Sequence, residues 1–142
     1  MFLISSAFSQ KYKTAADTVK LNNEYVKVSN EIADLSAKLT TAQNNLPGYQ
    51  NKAGNAASDA QNKAMASSAQ ADKAATGDYA DAKKAKRKAN KAMREAKDAR
   101  RASNKVDSQD KKIAKLTSQL QNRQNRLREL DNMRNDIRNM QQ

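Results

Sequence analysis

The chain contains no cysteine, no histidine and no tryptophan. Without cysteine there is no disulfide framework and no thiolate metal site. Without histidine the commonest acid–base group and metal ligand is missing. One proline and three glycines in 142 residues leave few points where a helix must stop. Aromatic residues amount to 4%, and much of the 37% apolar content is alanine. Such a chain cannot fill a thick, multilayered core. No stretch approaches the roughly 20 apolar residues of a membrane span. Phosphate-loop, dinucleotide, nucleophile-elbow and EF-hand signatures are all missing. The acid pairs Asp78/Asp81 and Asp107/Asp110 read as cap and solvent-face residues. The expectation is therefore a non-enzymatic protein with no catalytic, cofactor-binding or metal-ligating residues, no cofactor and no small-molecule substrate.

What is present is alanine, lysine, arginine and glutamine, all good helix formers. Low hydrophobicity with a net charge of +12 lies near the composition of disordered chains. Periodicity decides for helix. Leu21, Tyr25, Val28, Ile32, Leu35, Leu39, Ala42 and Leu46 alternate in steps of four and three, which is a coiled-coil seam. Pro47-Gly48 then predicts an interruption. A stripe of small residues follows at Ala53, Ala57, Ala60, Ala64, Ser67, Ala71 and Ala74. Thr76-Gly77-Asp78 reads as a turn, with Gly77 past the end of one helix and Asp78 capping the next. A second small stripe occupies Ala82, Ala85, Ala89, Ala92, Ala96, Ala99 and Ser103. It leads into Val106, Ile113, Leu116, Leu120, Leu127, Leu130 and Ile137.

Folding the chain at Gly77 aligns these stripes as an antiparallel pair. Facing alanines then have residue numbers with a constant sum of 156, and the larger residues beyond Pro47 have a sum of 155. The one-residue slip coincides with the proline. Arg123 and Arg134 fall opposite Ile32 and Leu21, where an arginine stem can follow a seam while its head stays wet. The predicted fold is all-α: a long antiparallel two-arm hairpin, alanine-rich near the turn and Leu/Ile/Val-rich at the open end. Arm one spans 11–75 with a break at 47–48, the turn 76–78, and arm two 79–142. A three-helix bundle turning at Pro47-Gly48 is the alternative.

Charge is concentrated on the second arm. Residues 78–105 hold eleven Lys or Arg against four Asp or Glu, a net +7. The dense block is Lys83, Lys84, Lys86, Arg87, Lys88, Lys91, Arg94, Lys97, Arg100 and Arg101. It points to an anionic polymer, an anionic lipid or an acidic protein as partner; as a plain solvated face it would keep the arm soluble. Nucleic acid is the weaker expectation, because no aromatics interleave with the cations and no recognised binding module is present. An alanine seam buries little apolar area, so self-association or an envelope protein partner is expected. Tyr12, Val19 and Val26 on one arm, with Met133 and Met140 on the other, form a sparse outer stripe at heptad spacing.

The opening residues Met1-Phe2-Leu3-Ile4-Ser5-Ser6-Ala7-Phe8-Ser9 resemble the end of a secretory signal peptide: an apolar run, small residues, then Gln10 as a new N-terminus. That resemblance implies export to the periplasm, outer membrane or cell surface, with residues 10–142 as the single hairpin. The resulting expectation is an exported structural or scaffolding coiled-coil protein, a self-associating rod, stalk or filament subunit. The alternatives are a cytoplasmic or phage nonspecific nucleic-acid-binding protein and a periplasmic holdase. The holdase reading rests on a resemblance to the basic, hairpin-armed chaperones of Gram-negative bacteria, without the strands those proteins use to trimerise.

Overall fold

A computed structural model describes residues 12–142; the apolar segment 1–9 lies outside the described residues. The chain is an all-α helical hairpin. A short 3-10 turn, η1 (Ala15–Asp17), leads into α1 (Thr18–Thr76). Gly77 and Asp78 make the turn, and α2 (Tyr79–Asn139) returns.

α1 continues through Pro47. The interruption expected at Pro47-Gly48 does not divide the helix, which removes the three-helix alternative. Proline cannot donate to the carbonyl of Gln43, four residues before it. Beside that carbonyl, Gln109 Nε2 of α2 donates to the Ala42 carbonyl at 2.7 Å. Gln109 is buried, and this bond satisfies its amide across the helix pair.

At the turn, Asp78 Oδ1 accepts from the backbone N–H groups of Ala80 at 2.9 Å and Asp81 at 3.1 Å. These are the donors that a helix start leaves free. Gly77 serves by its size. No described glycine has positive φ, but a Cβ on Gly77 would lie 2.8 Å from the Lys73 carbonyl and 2.9 Å from Asp81 Cβ. Space, and not a left-handed backbone, demands glycine here.

The chain divides into two compact units, one running to Leu39 and resuming at Lys115, the other spanning Thr40–Ala114. The first unit has a true core. Leu21, Val28, Leu130, Met133, Ile137 and Tyr12 form one buried cluster, with Tyr25, Ile32 and Leu127 packed against it. Leu21 and Leu130 are fully enclosed. Each such leucine contributes about 1.5–3 kcal/mol of burial. The arginines opposite this seam behave as their stems allow. Arg123 Nε lies 3.0 Å from Glu31 Oε2, and the Arg134 guanidinium stands 4.6 Å from the Tyr25 ring centroid.

The second unit is thin. Within Thr40–Ala114 the only buried hydrophobic residue is Ala42. On α1 its inward positions are Leu46, Tyr49, Ala53, Ala56, Ala60, Lys63, Ser67, Gln70 and Ala74. On α2 they are Asp81, Ala85, Ala92, Glu95, Ala99, Ala102, Val106, Gln109 and Ile113. This corrects the predicted alanine stripes. Ala57, Ala64 and Ala71, with Ala82, Ala89, Ala96 and Ser103, are exposed. The heptad of the larger residues simply continues through Pro47, and the inward positions of this unit keep the sum of 155, except that Ser67 falls opposite the exposed Lys88. No slip occurs, because an unbroken helix keeps its phase.

Candidate functional site

All ten predicted basic residues, Lys83 to Arg101, are exposed, as is Lys105. Helical spacing sorts them. Lys84, Arg87, Lys91, Arg94, Arg101 and Lys105 recur in steps that follow one face, Lys83, Lys86, Lys97 and Arg100 lie further outward, and the exposed Lys88 falls at the seam register between Ala85 and Ala92. Arg101 approaches Asp98 at 3.4 Å, with both side chains largely in water. Among the described residues the other cations of this block have no ion pair. A bridge as exposed as Arg101–Asp98 stabilises little, and the segment carries a net charge of +7.

The face Lys84–Lys105 borders a groove that both helices build. Tyr49 and Lys52 come from α1, and Asp98, Arg101, Ala102 and Lys105 from α2. Lys52 and Lys105 thus bring like charges to the same groove. A neighbouring depression, lined by Asn44, Asn45 and Gly48, shares Tyr49 and Lys52. Gly48 has no atom within 4 Å of where a Cβ would stand, so its missing side chain leaves this surface open.

The predicted self-association stripe is split. Val19, Val26 and Met140 are exposed, whereas Tyr12 and Met133 are 6% and 7% exposed and belong to the core. The segment before η1 brings Tyr12 into the apolar cluster, and that burial corrects the reading of these two residues as outer-surface contacts.

Sequence reasoning missed a polar clasp beside the same cluster. The Tyr12 hydroxyl donates to Glu24 Oε2 at 2.6 Å. Arg126 donates to Glu24 Oε1 from Nη2 at 2.7 Å and to Glu129 Oε2 from Nη1 at 2.9 Å. The hydrogen bond to Glu129 is the main cause that raises the Arg126 pKa above its ordinary value, and partial burial opposes it. Only the Arg126–Glu129 spacing of three was a visible signal; the link to Glu24 needs the fold.

Among the described residues no three His, Cys, Asp or Glu side chains converge where they could hold a metal ion, and no helix is long and apolar enough to cross a membrane. No protein-family model, curated protein or solved structure matches the chain.

Proposed function

We propose that this is an exported, non-enzymatic structural protein that works by association: a helical hairpin that pairs with copies of itself and displays a basic surface. The observation that carries the reading is the thinness of the second unit, where Ala42 is the only buried hydrophobic residue. A seam of methyl groups buries little apolar area. A further helical layer would supply what it lacks.

The exposed alanines offer a place for that layer. Ala57, Ala64 and Ala71 each follow an inward position of α1, Ala82 and Ala96 each follow an inward position of α2, and Ala89 keeps their heptad spacing after the exposed Lys88. In an antiparallel pair, positions so related meet on the same side of the seam. The unit therefore carries a smooth alanine edge, against which small side chains allow close approach by another helix. The cations of the opposite edge keep that side from the same contact.

Sedimentation velocity over a hundredfold range of concentration, with circular dichroism on the same samples, tests this reading. Oligomers that dissociate on dilution together with a loss of helicity are expected. A fully helical monomer at every concentration would overturn it.

A further inference from the structure

The cationic edge of the second unit has a geometry that narrows its partner. Lys84, Arg87, Lys91, Arg94, Arg101 and Lys105 span 21 residues of α2, or about 31 Å at 1.5 Å per residue. Neighbouring cations stand about 4.5–6 Å apart along the helix axis, with one gap of about 10 Å where Asp98 takes the place in the row. Asp98 is the only acid at this spacing, and it is engaged with Arg101. At the Lys105 end the row opens into the groove lined by Tyr49, Lys52, Asp98, Arg101, Ala102 and Lys105, to which each helix contributes a lysine. With one carboxylate, Asp98, against the three cations Lys52, Arg101 and Lys105, the groove keeps a positive charge that a bound anion offsets.

We infer that this edge binds an acidic polysaccharide, laid along α2 with one sugar in the groove beside Tyr49. The inference rests on the basic-surface half of the reading above and is independent of self-association. Three features select this polymer. The spacing of the row suits a chain with charges set well apart, whereas duplex DNA carries a charge about every 1.7 Å of its axis. No aromatic side chain alternates with the cations, so a row of stacked bases has no platform. The groove combines its cations with neutral hydrogen-bonding groups, the Tyr49 hydroxyl and the adjoining amides of Asn44 and Asn45. Sugar hydroxyls need that mixture. An anionic membrane fits less well, because the row holds no large apolar residue to enter the lipid interface. Arg87, Arg94 and Arg101 recur every seven residues; Arg101 is shared with Asp98, while the guanidinium groups of Arg87 and Arg94 can each clasp a carboxylate or sulfate with two parallel bonds.

The test is fluorescence anisotropy of the full chain at about 0.15 M salt, where weak long-range attraction is screened. The titrants are labelled polygalacturonate, neutral dextran, duplex DNA and phosphatidylglycerol vesicles. Saturable binding of polygalacturonate and none of neutral dextran is expected. The R94Q/R101Q double variant should weaken polygalacturonate binding at least tenfold, and Y49L should weaken it severalfold while leaving any DNA binding unchanged. Arg94 and Arg101 are exposed, Tyr49 is a half-buried seam residue that leucine replaces with another large apolar side chain, and circular dichroism checks that each variant keeps its helicity. Lack of polygalacturonate binding, tighter binding of DNA or vesicles, or binding indifferent to R94Q/R101Q would each overturn the inference. Sedimentation of the same variants separates the two proposals: binding without oligomers sinks self-association alone, and oligomers without binding sink the polysaccharide alone.

Discussion

Arg126 reaches across the hairpin to Glu24 and grips one carboxylate oxygen with two donors, Nη2 at 2.7 Å and Nε at 3.0 Å. The pair is about three-quarters shielded, with side-chain exposures of 27% and 22%. Glu24 also accepts the Tyr12 hydroxyl, so one carboxylate ties the segment before η1 to both helices.

This arrangement predicts that Arg126→Lys is not conservative. Lysine keeps the charge but cannot make the fork. The loss should be roughly 1.5–3 kcal/mol, the range for hydrogen bonds to charged groups. Leu130→Ala, at a fully enclosed position of the adjoining cluster, should cost about 2–5 kcal/mol. Denaturant titration followed by circular dichroism measures both. An Arg126→Lys protein as stable as the parent would mean the clasp contributes nothing beyond charge.

The glycines predict opposite signs. At Gly77 a methyl group would press on the Lys73 carbonyl and Asp81, so Gly77→Ala should destabilise the hairpin. Gly48 and Gly54 lie inside α1, with nothing within 4 Å of a new Cβ. There alanine should stabilise by about 0.5–1 kcal/mol, because it restricts the unfolded chain. Thermal unfolding of the three variants checks the order.

Ala56 and Ala57 separate the inward seam from the exposed edge. Ala56→Glu places a charge at a half-buried seam position and should cost about 1–3 kcal/mol. Ala57→Glu is exposed and should change monomer stability by no more than about 0.5 kcal/mol. It should nevertheless weaken self-association, since it puts a charge on the alanine edge. Chemical unfolding and sedimentation, run on both variants, read the two effects separately.

The difference between these neighbours also explains what the sequence hid. Where Leu21, Val28, Leu116 and Leu130 stand among polar residues, size and hydropathy mark the inward face, and the heptad reads directly. In the second unit alanine occurs on both faces, so that contrast vanishes. Following the smallest residues selected Ala57, Ala64 and Ala71, whereas the true seam accepts Ala56, Lys63 and Gln70. Helix continuity fixes the phase there, and Pro47 disguised that continuity. The turn was legible because Gly77 and Asp78 act through local chemistry. The basic block was legible as composition, but the groove joining Tyr49 and Lys52 to Arg101 and Lys105 depends on a register that only the folded pair defines.

Asp17 gives the chain a pH-sensitive starting point. Its Oδ2 accepts from the backbone N–H of Lys13 at 3.2 Å, the Thr14 hydroxyl at 3.0 Å and the Thr14 N–H at 3.3 Å. These bonds favour the charged form, the one from Lys13 N–H most, and hold the pKa below the ordinary 3.8. A carboxyl group whose folded pKa is depressed contributes stability that is present above its unfolded pKa and is lost as pH falls through the folded value. Acidification below the ordinary carboxylate range should therefore loosen η1 and the first turn of α1, and leave the alanine-rich unit unaffected by this group. Asp17→Asn should produce the same local loosening at neutral pH and remove its share of the acid response. Amide NMR of Lys13 and Thr14 during a pH titration supplies the check: both resonances should move with one common midpoint below 3.8 in the parent and lose that transition in Asp17→Asn. A midpoint at or above the ordinary value would show that these bonds do not favour the carboxylate.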